Sequence, residues 1–224
     1  MKHLWIIMDW NRTWAKNKLL PKIAGHKAWA DNIEKTVFGA IEQGIEYITL
    51  WWLSTDNLIK REKSEVDDII KIINWAKKYL KNIMQNWWKI ELIWDINKLP
   101  DESQWILNEL VKETRNNTKI TITLALAYWW QDEIIRWIKK INDLWIDFSH
   151  LSREEFRKYL DVAKLPIVDM IVRTWWHKRL SWFLLYDSEY AETYYLDKNW
   201  PDFNTDDLKN IIEQYEISQR KFWK

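Results

Sequence analysis

The sequence lacks cysteine altogether, and only 3 of its 224 residues are glycine. Without cysteine the chain has no disulfide bond, thiolate metal site or cysteine nucleophile, a composition typical of a reducing compartment. No apolar run approaches the ~18 residues needed to cross a bilayer, and the run before Asp9 is too short for a signal peptide. The formal net charge of +1 gives no reason to expect nucleic acid or an anionic membrane as an electrostatic partner. These absences predict a soluble, cytoplasmic protein.

Tryptophan is as abundant as glycine is scarce. The chain has 20 Trp, whereas average usage of about 7% would give roughly 16 Gly. The doublets Trp129-Trp130 and Trp175-Trp176 directly follow apolar runs, and Trp10 follows Asp9 in the same way. Such strand ends often require φ > 0, which glycine adopts and a bulky aromatic does not. We interpret many of these tryptophans as UGA codons that the host reads as glycine; a truly tryptophan-rich protein is the alternative.

Two of the three glycines, Gly25 and Gly44, are predicted at strand ends or tight turns. The chain thus uses glycine in the ordinary way where it has it.

Short apolar runs alternate with longer segments of helical periodicity. Because no linker or repeat interrupts them, we expect one domain over residues 1–224. Its fold class is α/β: a mostly parallel central sheet of about six strands, with helices on both faces and an apolar tunnel. The predicted strands are His3–Met8, Glu46–Leu53, Lys89–Trp94, Ile120–Ala127, Asp169–Arg173 and, more weakly, Phe183–Tyr186. The predicted helices are Val66–Ile83 with Ser64 as N-cap, Glu102–Thr114, Asp132–Ile141, Glu154–Leu160 with a capping box from Ser152, and Asp206–Tyr215.

The segment after the first predicted strand reads MDWNRTWAK, from Met8 to Lys16. In parallel sheets ligands bind where strands end, and a helix N-terminus there can hold an anion. A carboxylate such as Asp9 is a ligand that Mg²⁺ prefers, and the ion can bridge it to a phosphate. The alternative role for Asp9 is helix capping.

Several longer motifs, in order along nearly the whole chain, resemble the undecaprenyl diphosphate synthase family, also called cis-prenyltransferases. The opening motif, from His3 to Lys16, is similar to the family's HxGIIMDGNRRWAK. The other matching segments are Gly25 to Trp29 (GHKAG), Ser54 to Asn57 (STEN, with Asp for Glu), Ala127 to Ile134 (NYGGRDEI), Arg173 to Leu185 (RTSGExRLSNFLL), Tyr190 to Glu192 (YAE), Trp200 to Phe203 (WPDF) and Arg220 to Trp223 (RRFG).

The same motifs bear on the tryptophans. Trp14 and Trp200 stand where the family carries tryptophan, and they are expected to be genuine. Trp51, Trp75 and Trp88 match no motif position. The tryptophans at family glycine positions are Trp5, Trp10, Trp29, Trp94, Trp129, Trp130, Trp176 and Trp223.

The resemblance implies an allylic diphosphate site near the N-terminus. Asp9 is expected to bind Mg²⁺ and the diphosphate and to be catalytic. Asn57 is the family's candidate for assisting proton removal. Lys22 stands where the family commonly has arginine, and Leu58 where many members have tryptophan. The remaining residues assigned to this substrate are Trp10 through its backbone, Asn11, Arg12, Thr13, Trp14, His26, Ser54, Thr55, Asp56 and Arg61.

A second diphosphate site, for isopentenyl diphosphate, is implied after the fifth strand. Arg173, Arg179, Leu180 and Ser181 carry it, because guanidinium groups and a hydroxyl suit a diphosphate. A surface salt-bridge patch is the alternative for two such arginines. Glu192 matches the family's second metal-associated carboxylate, and His177 replaces its usual glutamate.

The implied function is an Mg²⁺-dependent isoprenyl transferase that joins isopentenyl diphosphate to an allylic diphosphate, farnesyl diphosphate being expected. Its product is a Z-polyprenyl diphosphate, expected to be the carrier lipid for cell-wall synthesis. The helix Val66–Ile83 and the strand Ile120–Ala127 are apolar enough to line a tunnel for this chain, although the same residues suit an ordinary core. A homodimer is expected, and contact with a membrane through the lipid product stays open. A non-catalytic subunit and a short-chain Z-prenyl synthase are the alternatives.

Overall fold

The structure, a computed structural model, describes residues 1–8, 11–19, 22–52, 55–60, 63–95, 98–144, 149–181 and 186–218. Within these residues the chain forms six strands and eight α-helices. The strands are β1 His3–Ile7, β2 Tyr47–Trp51, β3 Trp88–Trp94, β4 Ile120–Leu126, β5 Met170–Thr174 and β6 Glu192–Leu196. The helices are α1 Asn11–Asn17, α2 Lys22–Glu42, α3 Thr55–Lys60, α4 Lys63–Gln85, α5 Asp101–Thr114, α6 Trp130–Leu144, α7 Arg153–Arg157 and α8 Thr205–Ile217.

The six strands form one sheet in the order β3-β4-β2-β1-β5-β6, and all five pairings are parallel. The predicted α/β fold is therefore confirmed, with a sheet that is wholly parallel over the described strands. From β1 the chain passes to β2 and then to the edge strand β3, returns to β4 between them, and finally crosses to β5 and β6 on the other side of β1. The order of the strands thus reverses between β1 and β5.

Apolar side chains on the two faces of the sheet form two separate core layers, because successive residues of a strand point to opposite faces. In β1, Leu4 and Ile6 belong to one layer, whereas Trp5 and Ile7 belong to the other. The larger layer packs against α2, α4, α5 and α8. The smaller layer packs against α6, α7 and the segment 160–168.

The helix boundaries confirm most of the sequence predictions. Ser152 forms the predicted capping box with Glu155 at the start of α7. Ser64 is not an N-cap, because α4 already begins at Lys63. No helix within the described ranges combines the length and the apolar character needed to cross a membrane.

The sixth strand and the position of Gly25 differ from the prediction. The sixth strand is Glu192–Leu196, because hydrogen bonding to β5 rather than apolar content defines it. Of the weak prediction Phe183–Tyr186, Tyr186 lies in a turn and the rest lies outside the described residues. Gly25 lies buried inside α2 instead of at a turn, whereas Gly44 has φ +73° directly after α2, as a turn requires.

Candidate active site

The reversal of strand order marks one end of the sheet as the place for a ligand. In open α/β sheets, ligands bind outside the carboxyl ends of the strands where the connections diverge. Here that crevice lies between β1 and β5, whose register places Ile7 opposite Arg173. Asp9 comes two residues after Ile7 in the chain, and it lies outside the described residues. The two predicted diphosphate sites therefore follow neighbouring strands at one edge.

Arg173 is the best-defined polar residue at this edge. Its side chain is buried, and its Nη1 atom donates hydrogen bonds to Ser181 Oγ, at 2.8 Å, and to the carbonyl oxygen of Arg179. Ser181 has φ +57°, a strained conformation of the kind found at functional sites. Leu180 packs partly buried against the smaller core layer, and the Arg179 side chain is exposed. The structure thus brings these four predicted residues together in one turn.

Aromatic rings cover the start of this turn. Trp175, which directly follows β5, has φ +81°. Its indole meets the ring of His177 edge-on, with 4.2 Å between the ring centroids, and lies 5.0 Å from the ring of Trp176. His177, which stands in place of the family's glutamate, thus makes ring contacts here.

Thr55 connects the carboxyl ends of β2 and β4. Its buried hydroxyl donates to the carbonyl oxygen of Ala127 at 2.9 Å, and Ala127 has φ +48°. Lys98 Nζ lies 3.5 Å from the Thr55 hydroxyl and forms ion pairs with Asp132 at 3.0 Å and Asp95 at 3.3 Å. Thr55 was predicted at the site. Lys98 was not, because no motif singles it out.

Glu192 lies at the other end of the sheet. It is the first residue of β6 and pairs with Met170, three residues before Arg173 on β5. At about 3.3 Å per residue this separates it by about 10 Å from the level of Arg173 along the strands. Its carboxylate accepts hydrogen bonds from the hydroxyls of Tyr194, at 2.8 Å, and Ser218. The structure therefore does not bring Glu192 to the edge at which β1 ends.

For most of the other predicted site residues, either the whole residue or its side chain lies outside the described part of the chain. Trp10, Ser54 and Arg61 lie outside the described residues. The backbones of several others are placed in helices, but their side chains lie outside the described set: Asn11, Arg12 and Thr13 in α1, Lys22 and His26 in α2, and Asp56 and Asn57 in α3. Leu58 packs partly buried against the larger core layer. Lys18 Nζ lies 4.5 Å from the ring of the half-buried Trp14.

No three His, Cys, Asp or Glu side chains come together as metal ligands within the part of the chain that the structure describes. The predicted metal ligand Asp9 is not in that part.

A cavity of about 110 Å³, partly open to solvent, lies along the larger core layer. Trp52, directly after β2, lines it near the carboxyl edge, and Trp88, the first residue of β3, lines it near the amino edge. The seven-residue strands between these levels span about 20 Å. Apart from Glu34, Tyr79 and Asn82 the lining is apolar; it also includes Trp29, Ala30, Ile33, Ile72, Trp75, Ala76, Ile83, Ile90, Leu110, Ile122 and Leu124.

This lining confirms that α4 and β4 supply walls of an apolar cavity. It also includes four residues of α2, a helix that was not predicted from the sequence. The rings of Trp29 and Trp52 lie 4.6 Å apart at this end of the cavity.

Glu133, in the first turn of α6 after β4, is a buried carboxyl group. Glu133 accepts hydrogen bonds from the Tyr128 hydroxyl and from the Asp161 amide, the latter at 2.5 Å. The pKa of Glu133 is raised to about 7, mainly by burial and also by the nearby Asp161 carboxylate, against its hydrogen bonds from Tyr128 and the Asp161 amide and the charge of Arg136. Burial also raises the pKa of Asp161, against its ion pair with Arg136 at 2.6 Å.

The sheet thus has a polar edge where the strand order reverses, and an apolar cavity along its larger core layer. Together they suit a ligand that has an anionic end and an apolar tail. The sequence profile of a family described as "Putative undecaprenyl diphosphate synthase" matches residues 7–223. The chain belongs to this family of enzymes, the cis-prenyltransferases or isoprenyl transferases.

Individual relatives agree with this membership. The chain is similar to an isoprenyl transferase of Treponema denticola, at 37% identity over 99% of this chain and 97% of the relative. It is 34% identical to the ditrans,polycis-undecaprenyl-diphosphate synthase ((2E,6E)-farnesyl-diphosphate specific) of Micrococcus luteus, over 99% and 90% of the two chains. Its fold matches the crystal structure of lavandulyl diphosphate synthase from Lavandula x intermedia, in complex with dimethylallyl diphosphate. That match has a TM-score of 0.91 at 26% identity and covers 98% and 97% of the two chains.

Proposed function

We propose that the protein condenses isopentenyl diphosphate with an allylic diphosphate, farnesyl diphosphate in the first instance, to make a Z-polyprenyl diphosphate. The carbon–oxygen bond of the allylic diphosphate breaks, and the allylic carbon bonds to the double bond of isopentenyl diphosphate. Loss of a proton then leaves the new Z double bond. In a cell-wall-building host the product is expected to serve as the carrier lipid.

The register of β1 and β5 is the observation that carries this proposal. It sets Arg173 and its turn beside the strand that leads to Asp9, as a reaction between two diphosphate substrates requires. Arg173 and Ser181 are held together by their 2.8 Å hydrogen bond, and the exposed Arg179 side chain follows in the same turn. We assign isopentenyl diphosphate to this turn and the allylic diphosphate to Asp9 and the segment Asn11–Asn17.

Mg²⁺ fits this assignment through Asp9. The ion is commonly held by one or two carboxylates together with substrate phosphates, so a single protein carboxylate is sufficient. When bound, Mg²⁺ would stabilise the charge that develops on the departing diphosphate. Glu192 is engaged by two hydroxyls at the amino end of β6, and its role as a second ligand stays a prediction.

The cavity along the larger core layer is the proposed place for the growing apolar chain. Nearly all of its lining is apolar, as the hydrocarbon tail of a prenyl diphosphate requires. Four indoles, from Trp29, Trp52, Trp75 and Trp88, occupy its walls. This crowding favours the second candidate, a short-chain Z-prenyl diphosphate synthase, for the chain with tryptophan at all four positions.

The test is incorporation of labelled isopentenyl diphosphate onto farnesyl diphosphate with Mg²⁺, followed by separation of products by chain length. It is run on the chain with all 20 Trp and on a glycine-restored form, with glycine at positions 5, 10, 29, 94, 129, 130, 176 and 223, because an indole at position 10 is expected to obstruct the diphosphate. Products of one to a few added units support the short-chain candidate, and long products the carrier-lipid assignment. The exposed Arg153→Ala serves as a control that keeps activity. No incorporation by either form would refute the proposal and favour a non-catalytic subunit.

We also propose a homodimer. The edge strand β6 is half-buried along its whole length, so it presents surface that a second copy can cover. The predicted contact segment Arg220 to Trp223 lies outside the described residues. Light scattering that shows only monomer at micromolar concentration would contradict this assembly.

A further inference from the structure

The two longest helices end in the same way but with different residues. After α2, Gly44 has φ +73° and its amide donates to the carbonyl of Ile41 at 3.1 Å. After α4, Trp87 has φ +56° and its amide donates to the carbonyl of Met84 at 3.2 Å. This is the left-handed position that follows a helix C-terminus, where glycine is preferred because it has no Cβ to clash.

Trp87 gains little from its large side chain, since 59% of it is exposed to solvent. A bulky aromatic residue in the left-handed region is a genuine outlier. The same helix-ending bond occurs at Leu19, which has φ +55° after α1, so the position tolerates other residues. Its occupation by tryptophan, in a chain with 20 Trp and 3 Gly, is what distinguishes position 87.

Trp175 is the second such residue. It has φ +81°, and its amide donates to the carbonyl of Lys198 at 2.6 Å, so the segment that follows β6 holds its backbone in place. The sequence motif assigned glycine to position 176, but the backbone places the requirement one residue earlier. Of the five residues other than glycine with positive φ in the described chain, two are tryptophan.

We infer that residues 87 and 175 are glycine in the protein as its own organism makes it, because the codons at these positions are translated there as glycine rather than tryptophan. Neither position is a motif position assigned to glycine. Backbone geometry selects position 87, and at position 175 it identifies which residue of the Trp175-Trp176 doublet has the left-handed conformation. Trp200 is the contrasting case. It is fully buried, stacks on Phe203 and donates from Nε1 to the carbonyl of Trp29 at 3.1 Å, so its indole is needed.

The decisive experiment is tandem mass spectrometry of the protein isolated from its native host. Peptides that contain positions 87 and 175 should have the mass of glycine, and the peptide that contains position 200 should have the mass of tryptophan. Tryptophan at 87 or 175, or glycine at 200, would overturn the inference. Because no activity is measured, this result is independent of the proposed function.

A second test uses thermal unfolding of the chain with all 20 Trp and compares glycine with alanine at the same position. At 87 and 175 the glycine variant should melt about 2–4 °C above the alanine variant, because only alanine has a Cβ in the left-handed region. Trp105 is the matched control, exposed but inside α5, where glycine should melt below alanine. Alanine variants that equal or exceed the glycine variants at 87 and 175 would contradict the strain argument.

Discussion

Asp9 follows β1 by two residues, at the edge where Ile7 pairs with the buried Arg173. If Asp9 holds Mg²⁺ against the allylic diphosphate, Asp9→Ala should remove several kcal/mol of transition-state stabilisation. At about 1.36 kcal/mol per decade the rate should fall at least ~10³-fold. Thermal unfolding should change little, because a capping aspartate contributes at most about 2 kcal/mol.

The measurement is turnover of the glycine-restored protein with labelled isopentenyl diphosphate, with and without Asp9→Ala. Asp197→Ala, an exposed aspartate after β6, is the control and should keep full activity. Near-normal turnover in Asp9→Ala, or activity that persists in EDTA, would refute the metal role of Asp9.

Arg179 belongs to the other diphosphate. Its exposed side chain lies within the turn that the Arg173–Ser181 hydrogen bond closes, so we expect it to bind isopentenyl diphosphate equally in the ground and transition states. Arg179→Ala should therefore raise the KM for isopentenyl diphosphate and leave kcat nearly unchanged. Steady-state kinetics with varied isopentenyl diphosphate tests this, with Arg153→Ala as the control. A fall in kcat at unchanged KM would assign Arg179 to the chemical step instead.

For individual residues, the sequence predicted which side chains come together after β5, because the residues from Arg173 to Ser181 are close to one another in the chain. It did not predict the position of Glu192, which depends on the register of β6 against β5. It also did not predict Lys98, which reaches Thr55 and Asp132 only through folding of three separate segments.

Helix α2 contributes the large side chain of Trp29 to the wall of the cavity. Trp29 of this helix is 4% exposed and packs against Trp52 at the end of β2. We expect Trp29→Ala to open space there and to shift products toward longer chains. The variant should also lose about 3–5 kcal/mol of stability, as large-to-small core substitutions of tryptophan do.

Product analysis by thin-layer chromatography, with denaturant unfolding beside it, tests both effects. Trp105→Ala is the matched control, because this exposed residue does not line the cavity. An unchanged product distribution in a folded Trp29→Ala protein would place the growing chain elsewhere.

The elements that sequence periodicity predicted well are those with a clear apolar face, such as α4 and the inner strands. Helix α2 was missed because Gly25 and Gly39 lower its helix propensity, and its apolar residues are not confined to one stripe. Strand β6 was missed because all five of its residues are only half-buried, so no apolar run indicates it.

Two buried titratable groups influence the stability of the whole molecule in opposite directions. Burial lowers the pKa of His3 from 6.5 to about 4; its folded state binds fewer protons, so stability falls as pH drops from 6.5 toward 4. Burial raises the pKa of Glu133 from 4.5 to about 7. Its folded state binds more protons, so stability falls as pH rises from 4.5 toward 7. The two contributions partly cancel between pH 4.5 and 6.5.

Replacing Glu133 should isolate its own contribution to the pH dependence of stability. Between pH 5 and pH 8 the stability of Glu133→Gln relative to the unmodified chain should shift by about 3 kcal/mol, in favour of the variant at pH 8. Urea unfolding at both pH values measures this, and the exposed Glu154→Gln is the control. A difference that does not change with pH would mean that Glu133 titrates normally.

The central position of β1 imposes an order on how the sheet can be completed. β1 pairs on one side with β2, forty-odd residues later, but on its other side with β5, which begins at Met170. During synthesis the first strand therefore leaves the ribosome long before its second neighbour exists, and one of its edges stays open until about three-quarters of the chain has been made. Pairings of such sequence separation form slowly and expose the intermediate to aggregation. The strand that leads to Asp9 is made first, yet the crevice between β1 and β5 can form only near the end of folding.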